Sequence, residues 1–140
     1  MSHVAKIELR INDLGALKAA CARLGIEFLP GQKTYKWYGR HIGDYPLPEG
    51  FTLDDLGKCD HAIRVPGAEY EIGVIKKAQG YVLIWDFWRS GGLEYKLGKD
   101  AGLLKQAYAI EKTRAEARRK GYTVIEKKTD SGIRLHLRMQ

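Results

Sequence analysis

Residues 70–88 read YEIGVIKKAQGYVLIWDFW, and their pattern decides the fold. Tyr70, Ile72 and Val74 alternate with Glu71, Gly73 and Ile75, the period of a half-buried strand. Lys76–Gly80 is a polar break. Tyr81–Trp88 then runs almost wholly apolar, interrupted only by Asp86. Two strands joined by a short glycine-containing loop predict a hairpin. The second strand is apolar on both faces, so it belongs inside a sheet with both faces covered. A lone carboxylate in such a strand needs a partner. Arg114, in the middle of a later apolar helical stripe, has the matching need. The expectation is that Asp86 and Arg114 pair, or that each reaches the surface at an edge.

On the N-terminal side, His3–Ile11 alternates as a strand, with Ile7, Leu9 and Ile11 on one face and Lys6, Glu8 and Arg10 on the other. Asn12 or Asp13 caps a helix in which Leu14, Leu17, Cys21 and Leu24 share one side, and Gly25 ends it. Ile26–Leu29 is a short strand. Tyr35–Tyr38 is extended, with Tyr35 and Trp37 on one face. Residues 41–58 carry three glycines and two prolines, which argues against regular structure beyond one helical turn after Thr52; Tyr45, Leu47, Phe51 and Leu53 make this stretch an ordered flap. Cys59–Val65 resumes a strand that turns at Pro66-Gly67 into the central hairpin.

On the C-terminal side, Asp100 is expected to cap a helix over Ala101–Lys120. Leu103, Ala107, Ile110 and Ala117 form its inner stripe, and Lys105, Lys112 and Arg119 its outer stripe with Tyr108 beside them. Tyr122–Glu126 and Ile133–Arg138 close the chain as a hairpin, with Ile133, Leu135 and Leu137 facing in and Arg134, His136 and Arg138 facing out. The order β-α-β-β-β-β-β-α-β-β predicts an α+β fold, with two helices on one face of a mainly antiparallel sheet. A length of 140 residues predicts one domain over 1–140, carrying the flap at about 41–58.

Hydrophobic residues make up 44% of the chain, so it should be globular. The longest apolar run is far too short to cross a bilayer, and the first ten residues have no apolar signal core. A cytoplasmic protein with no membrane partner is expected. Cys21 and Cys59 are too few for a disulfide framework or a cysteine-built zinc site. The formal net charge is +7, and residues 101–140, with ten Lys and Arg against four Asp and Glu, carry +6 of it. A one-sided basic surface attracts polyanions or an acidic protein, although a row of lysines is more often simply a solvated face.

Cys59-Asp60-His61 is the nearest approach to a reactive cluster. In an extended segment Cys59 and His61 would share a side, as a thiolate beside an imidazole or as two metal ligands; His41 or His3 would have to complete a metal site. Ser90-Gly91-Gly92 and Leu97–Gly102 do not match a phosphate loop, which needs GxxxxGK[ST] after a strand. No motif calls for a cofactor, and none supplies catalytic residues. Tyr35 and Trp37 interleaved with Lys33, Lys36 and Arg40 suit single-stranded nucleic acid, although a strand whose aromatics pack inward while its lysines face water is the commoner arrangement.

Met1-Ser2-His3 before a strand, Tyr70-Glu71-Ile72-Gly73, Tyr108-Ala109, Gly121-Tyr122 and Gly132-Ile133-Arg134-Leu135-His136-Leu137 together resemble the hypothetical chloroplast reading frame thirty-five family, with its bacterial and phage relatives of unknown function. Val4 stands where that family usually has an aromatic residue, and His41–Lys58 looks like an insertion. The resemblance implies the same element order and a plastid, bacterial or phage interior; it implies no catalytic residue. The expected function is a non-enzymatic module binding a protein through the flap (Tyr45, Phe51), the Tyr35–Arg40 segment, or the surface formed by Lys105, Tyr108, Lys112, Arg119, Arg134, His136 and Arg138. If the chain comes from a phage, the resemblance implies modulation of a host protein. The alternative is RNA or single-stranded DNA on the basic surface. An enzyme or metal site at Cys59 and His61 is third.

Overall fold

A computed structural model describes residues 2–41 and 45–139. Met1 of the opening motif and residues 42–44 of the expected flap lie outside the described residues. The elements are β1 (Val4–Ile11), α1 (Leu14–Leu24), β2 (Glu27–Leu29), β3 (His61–Arg64), β4 (Glu71–Lys77), β5 (Gly80–Asp86), α2 (Leu93–Leu97), α3 (Gly102–Arg119), β6 (Tyr122–Thr129) and β7 (Gly132–Met139). The fold is α+β. Five antiparallel strands form a sheet in the order β1-β5-β4-β3-β2, and β6-β7 form a separate two-stranded ribbon.

The central hairpin is β4-β5, and β5 lies between β1 and β4. Its apolar run buries both faces. Leu83 and Trp85 join a core with Ile7, Leu17, Cys21, Ile72, Val74, Leu104 and Tyr108 under the helices. Ile84 joins a second core on the opposite face with Val4, Tyr35, Phe51, Leu56, Cys59 and Ala62. Tyr35, Trp37, Leu47, Phe51, Leu56 and Cys59 therefore cover the sheet face that the helices leave bare.

Tyr35–Tyr38 is not a strand. It crosses the sheet face as a strap, with an isolated bridge between Thr34 and Lys58 as its ladder pairing. A segment lying over a face cannot use the ladder, so its amides find other acceptors. Tyr35 N–H donates to Gly57 O (3.0 Å), Lys36 N–H to Glu71 Oε1 (3.0 Å) and Tyr38 N–H to Asp86 Oδ2 (3.1 Å).

Helix α1 follows its sequence signals. The Asp13 carboxylate accepts from Ala16 N–H (3.0 Å), and Gly25 closes the helix at φ 72°. The start of α3 departs from expectation. Asp100 does not cap it: Asp100 and Ala101 have φ of 54° and 57°, and the helix begins at Gly102 without a side-chain cap. Ala107, Ile110 and Ala117 are buried as expected, but Leu104 is fully buried in place of Leu103, which is 48% exposed. Tyr108, expected beside the outer stripe, turns inward, and its hydroxyl accepts from Asn12 N–H (3.2 Å) and Asp13 N–H (3.3 Å) at the start of α1.

Asp86 and Arg114 do not pair. Asp86 is fully buried in the sheet. Arg114 faces the ribbon, where it meets Glu126 (2.9 Å) and Glu111 (3.5 Å). Arg23 of α1 also bonds Glu126. Glu126 thus fastens β6 to both long helices, and the two arginines hold its carboxyl below the ordinary range, the Arg23 hydrogen bond contributing most.

Candidate functional site

Tyr35, proposed above as a partner-binding aromatic, is 3% exposed. Its ring lies over Gly73, where a Cβ would come within 2.6 Å of it. Burial pushes its phenol to about 12. Phe51 is buried as well, with Lys77 Nζ 4.8 Å from its ring centre. Trp37 is half-buried against the same core, and Tyr108 is 3% exposed. Four of the five aromatic candidates are thus core or near-core residues and offer no stacking platform. The commoner arrangement for this alternation, aromatics inward and lysines to water, is the one the structure shows, with Lys33 and Lys36 exposed. Tyr45 is the exception. It is partly exposed and packs edge-on against His3 and Phe87, at 5.1 Å from each.

The cations fall into four places. Lys36 and Arg40 are exposed on the strap. Lys105 lines a groove beside β1. Lys112 and Arg119 line a second groove with Asn12, Asp13 and Glu116, where Lys112 bonds Asn12 and stands 4.0 Å from Glu116. Arg134, His136 and Arg138 are exposed on β7. The helical stripe and the ribbon are therefore separate surfaces and not one continuous face.

The ribbon has two unlike sides. Cross-strand partners share a side, so Thr123, Ile125 and Lys127 lie with Arg138, His136 and Arg134 on one, all exposed. The other side pairs Tyr122, Val124, Glu126 and Lys128 with Met139, Leu137, Leu135 and Ile133. It faces α3 at β6, while at the end of β7 Leu137 is 50% and Met139 75% exposed. Neither ribbon strand pairs with the larger sheet. Sequence alternation located Leu137 but read it as inward, because what covers the outer strand of a ribbon is not a local property. Residues 118–138 hold seven Lys and Arg against two Asp and Glu, and of these Lys127, Arg134 and Arg138 lie on the side opposite Leu137 and Met139.

Cys59 and His61 do not form a site. The bend at Asp60 puts them on opposite faces of the sheet. Cys59 sits in the flap-side core and donates to Gln32 O (3.2 Å). His61 lies against Phe28 and Tyr81 on the helix side, and its Nδ1 accepts from Gly31 N–H (2.9 Å). Burial pushes the Cys59 thiol from 9.0 to about 11 and that of Cys21 to about 12, the reverse of an activated nucleophile. His41 bonds Tyr45 O through Nε2 (3.0 Å), and among the described residues no three His, Cys, Asp or Glu side chains group as metal ligands. Asp60 serves the bend, accepting from Lys76 N–H (2.7 Å).

With this geometry in hand, a family model described as protein of unknown function (DUF1257) matches residues 49–136, more than half of the chain. The chain belongs to the DUF1257 family. The DUF1257 match spans β3 through β5, all the helical elements after them, β6, and β7 as far as His136; β1, α1, β2 and the Tyr35–Tyr38 strap precede it. No curated protein and no solved structure matches the chain. No helix among the described residues is long and apolar enough to cross a membrane.

Proposed function

We propose that this DUF1257 chain is a small, non-enzymatic intracellular interaction module that binds an acidic segment of a partner protein through the β6-β7 ribbon. The observation that carries this is the end of β7, where Leu137 and Met139 are exposed on one side of the ribbon and Arg134, His136 and Arg138 on the other. Apolar side chains clustered inside a polar rim are the composition of an interface core. Of the three surfaces expected from sequence, the flap and the strap aromatics are largely spent on the second core. The proposal includes membership in the chloroplast reading-frame family and, for a phage chain, a host protein as the target.

The test is affinity capture with the full chain, with and without nuclease and at two salt concentrations. A stoichiometric protein that survives nuclease, and is lost from both Leu137→Ser/Met139→Ser and Arg134→Glu/Arg138→Glu, supports the proposal. Capture unaffected by either variant overturns it. A nucleic-acid reading rests on one separate observation: the outward side with Lys127, Arg134, His136 and Arg138 carries no carboxylate. A two-stranded ribbon fits the major groove. Binding of that kind would be nuclease-sensitive and would fall steeply with salt.

A further inference from the structure

We infer that the ribbon takes its partner as a third strand: an extended segment, acidic and apolar in alternation, paired antiparallel along the open edge of β7. This rests on the ribbon reading above and adds to it how the ribbon binds and which sequence it selects.

The edge follows from the turn. Thr129 is opposite Gly132, so Asp130-Ser131 is a two-residue loop, and the pair closing such a loop is hydrogen-bonded. Bonded and non-bonded pairs alternate along an antiparallel ladder. Arg134, His136 and Arg138 therefore turn their N–H and C=O groups toward β6, and Leu135, Leu137 and Met139 turn theirs away from it. Strand β6 lies against α3, and β7 is the outer strand of the ribbon. Among the described residues no hydrogen bond reaches the outward backbone groups of Leu135, Leu137 and Met139. Near the turn, a Cβ on Gly132 would come within 3.0 Å of Gln106 Nε2 on α3. Toward the other end the strand is clear, with residues 136–139 all exposed. The accessible edge is therefore Leu135–Met139. A row of unpaired groups of this kind is a template for another strand.

Side chains decide which strand fits. Opposing residues on neighbouring strands share a side. Arg134 and Arg138 stand on the side that carries Lys127 and no carboxylate. None of these three cations makes an ion pair among the described residues. Leu135, Leu137 and Met139 stand on the other side. A third strand needs acidic residues opposite the arginines and apolar residues opposite the leucines. The β7 edge of a second copy does not qualify. Every antiparallel register that joins two such edges sets an arginine opposite an arginine or a histidine, and like charges directly opposite repel. Charged side chains on an edge strand keep identical edges apart, while these leave the edge open to an acidic strand. Main-chain bonds supply the affinity and alternate side chains the selection. Edge and pattern are linked, because the residues that exchange bonds with Leu135 and Leu137 are the apolar ones opposite them.

The test uses the isotope-labelled full chain and two octapeptides that alternate valine and glutamate. One is N-methylated at its glutamates, which leaves the valine N–H groups free to pair. The other is N-methylated at its valines, which blocks that edge with charge and composition unchanged. At about ten times its Kd, the first is expected to slow amide exchange of Leu135, Leu137 and Met139 about tenfold, and the second to leave it unchanged. A lysine analogue of the first gives no protection to the natural sequence. It becomes the protecting peptide in Arg134→Glu/Arg138→Glu, both at exposed positions. Equal Kd for the two glutamate peptides, read from the Leu137 and Met139 methyl signals, overturns strand addition while the acidic-segment reading stands. Binding by neither at millimolar concentration also overturns it, and the affinity capture above then decides the ribbon reading by itself. Equal protection by the lysine analogue, protection confined to β6, or protection that appears with protein concentration alone overturns the inference as well.

Discussion

Asp86→Ala tests what holds the strap, β1 and β5 in one arrangement. The Asp86 carboxylate is fully buried and accepts from three backbone amides: His3 (2.9 Å) and Trp88 (3.1 Å) at Oδ1, and Tyr38 (3.1 Å) at Oδ2. Removing it strands three N–H groups. An unmet buried amide costs about 1–3 kcal/mol. His3, Tyr38 and Trp88 are half-buried, so water will recover part of that loss, and deleting a buried carboxylate returns some desolvation energy. The expected net loss is about 3–4 kcal/mol by the same scale, or roughly 10 °C in Tm at this size. Asp86→Asn preserves shape and keeps one oxygen for His3 and Trp88, but sets an NH₂ against Tyr38 N–H. It should lose about 1–2 kcal/mol. Urea unfolding monitored by tryptophan fluorescence measures both, and hydrogen exchange at Tyr38 reports whether the strap opens first. A loss below about 1 kcal/mol for Asp86→Ala, or a loss for Asp86→Asn at least as large, would refute the assignment of Asp86 as a shared acceptor.

Tyr108→Phe removes only the hydroxyl that accepts from Asn12 and Asp13, and should lower stability by about 1–2 kcal/mol in urea melts while leaving far-ultraviolet circular dichroism unchanged. Gly73→Ala places a methyl 2.6 Å from the Tyr35 ring and 3.0 Å from Ile84; overpacking of about 1–3 kcal/mol is expected, and Tyr35→Leu in the same background should recover part of it. Cys21 and Cys59 have folded thiol values of about 12 and about 11 against an ordinary 9.0. Since the unfolded thiols lose protons first, their contribution to stability is complete below pH 9.0 and is lost as pH rises through about 11 to about 12. In the folded chain at pH 8 a thiol reagent should modify neither cysteine at the rate seen in denaturant, and prompt labelling of Cys59 would contradict its burial.

The local periodicities were enough for the α+β class, the β4-β5 hairpin, α1 with its Asp13 and Gly25 ends, and the C-terminal hairpin. Each of these depends on spacing within a dozen residues, and the hydrophobic pattern enforces it. Tertiary structure decided everything that depends on distant segments meeting. The partners of Asp86 come from positions 83 and 48 residues away in sequence as well as from its neighbour Trp88, and no pattern around Asp86 announces them. Arg114 found Glu126 because the ribbon lies on the helices, which a reading limited to one sheet could not place. A single bend at Asp60 separated Cys59 from His61, and Tyr108 of α3 turned inward to reach the start of α1. Exposure was the least legible property. Tyr35 and Leu137 both alternate as strand residues do, yet one is sealed over Gly73 and the other is half exposed near the end of β7, because burial depends on what the rest of the chain brings alongside.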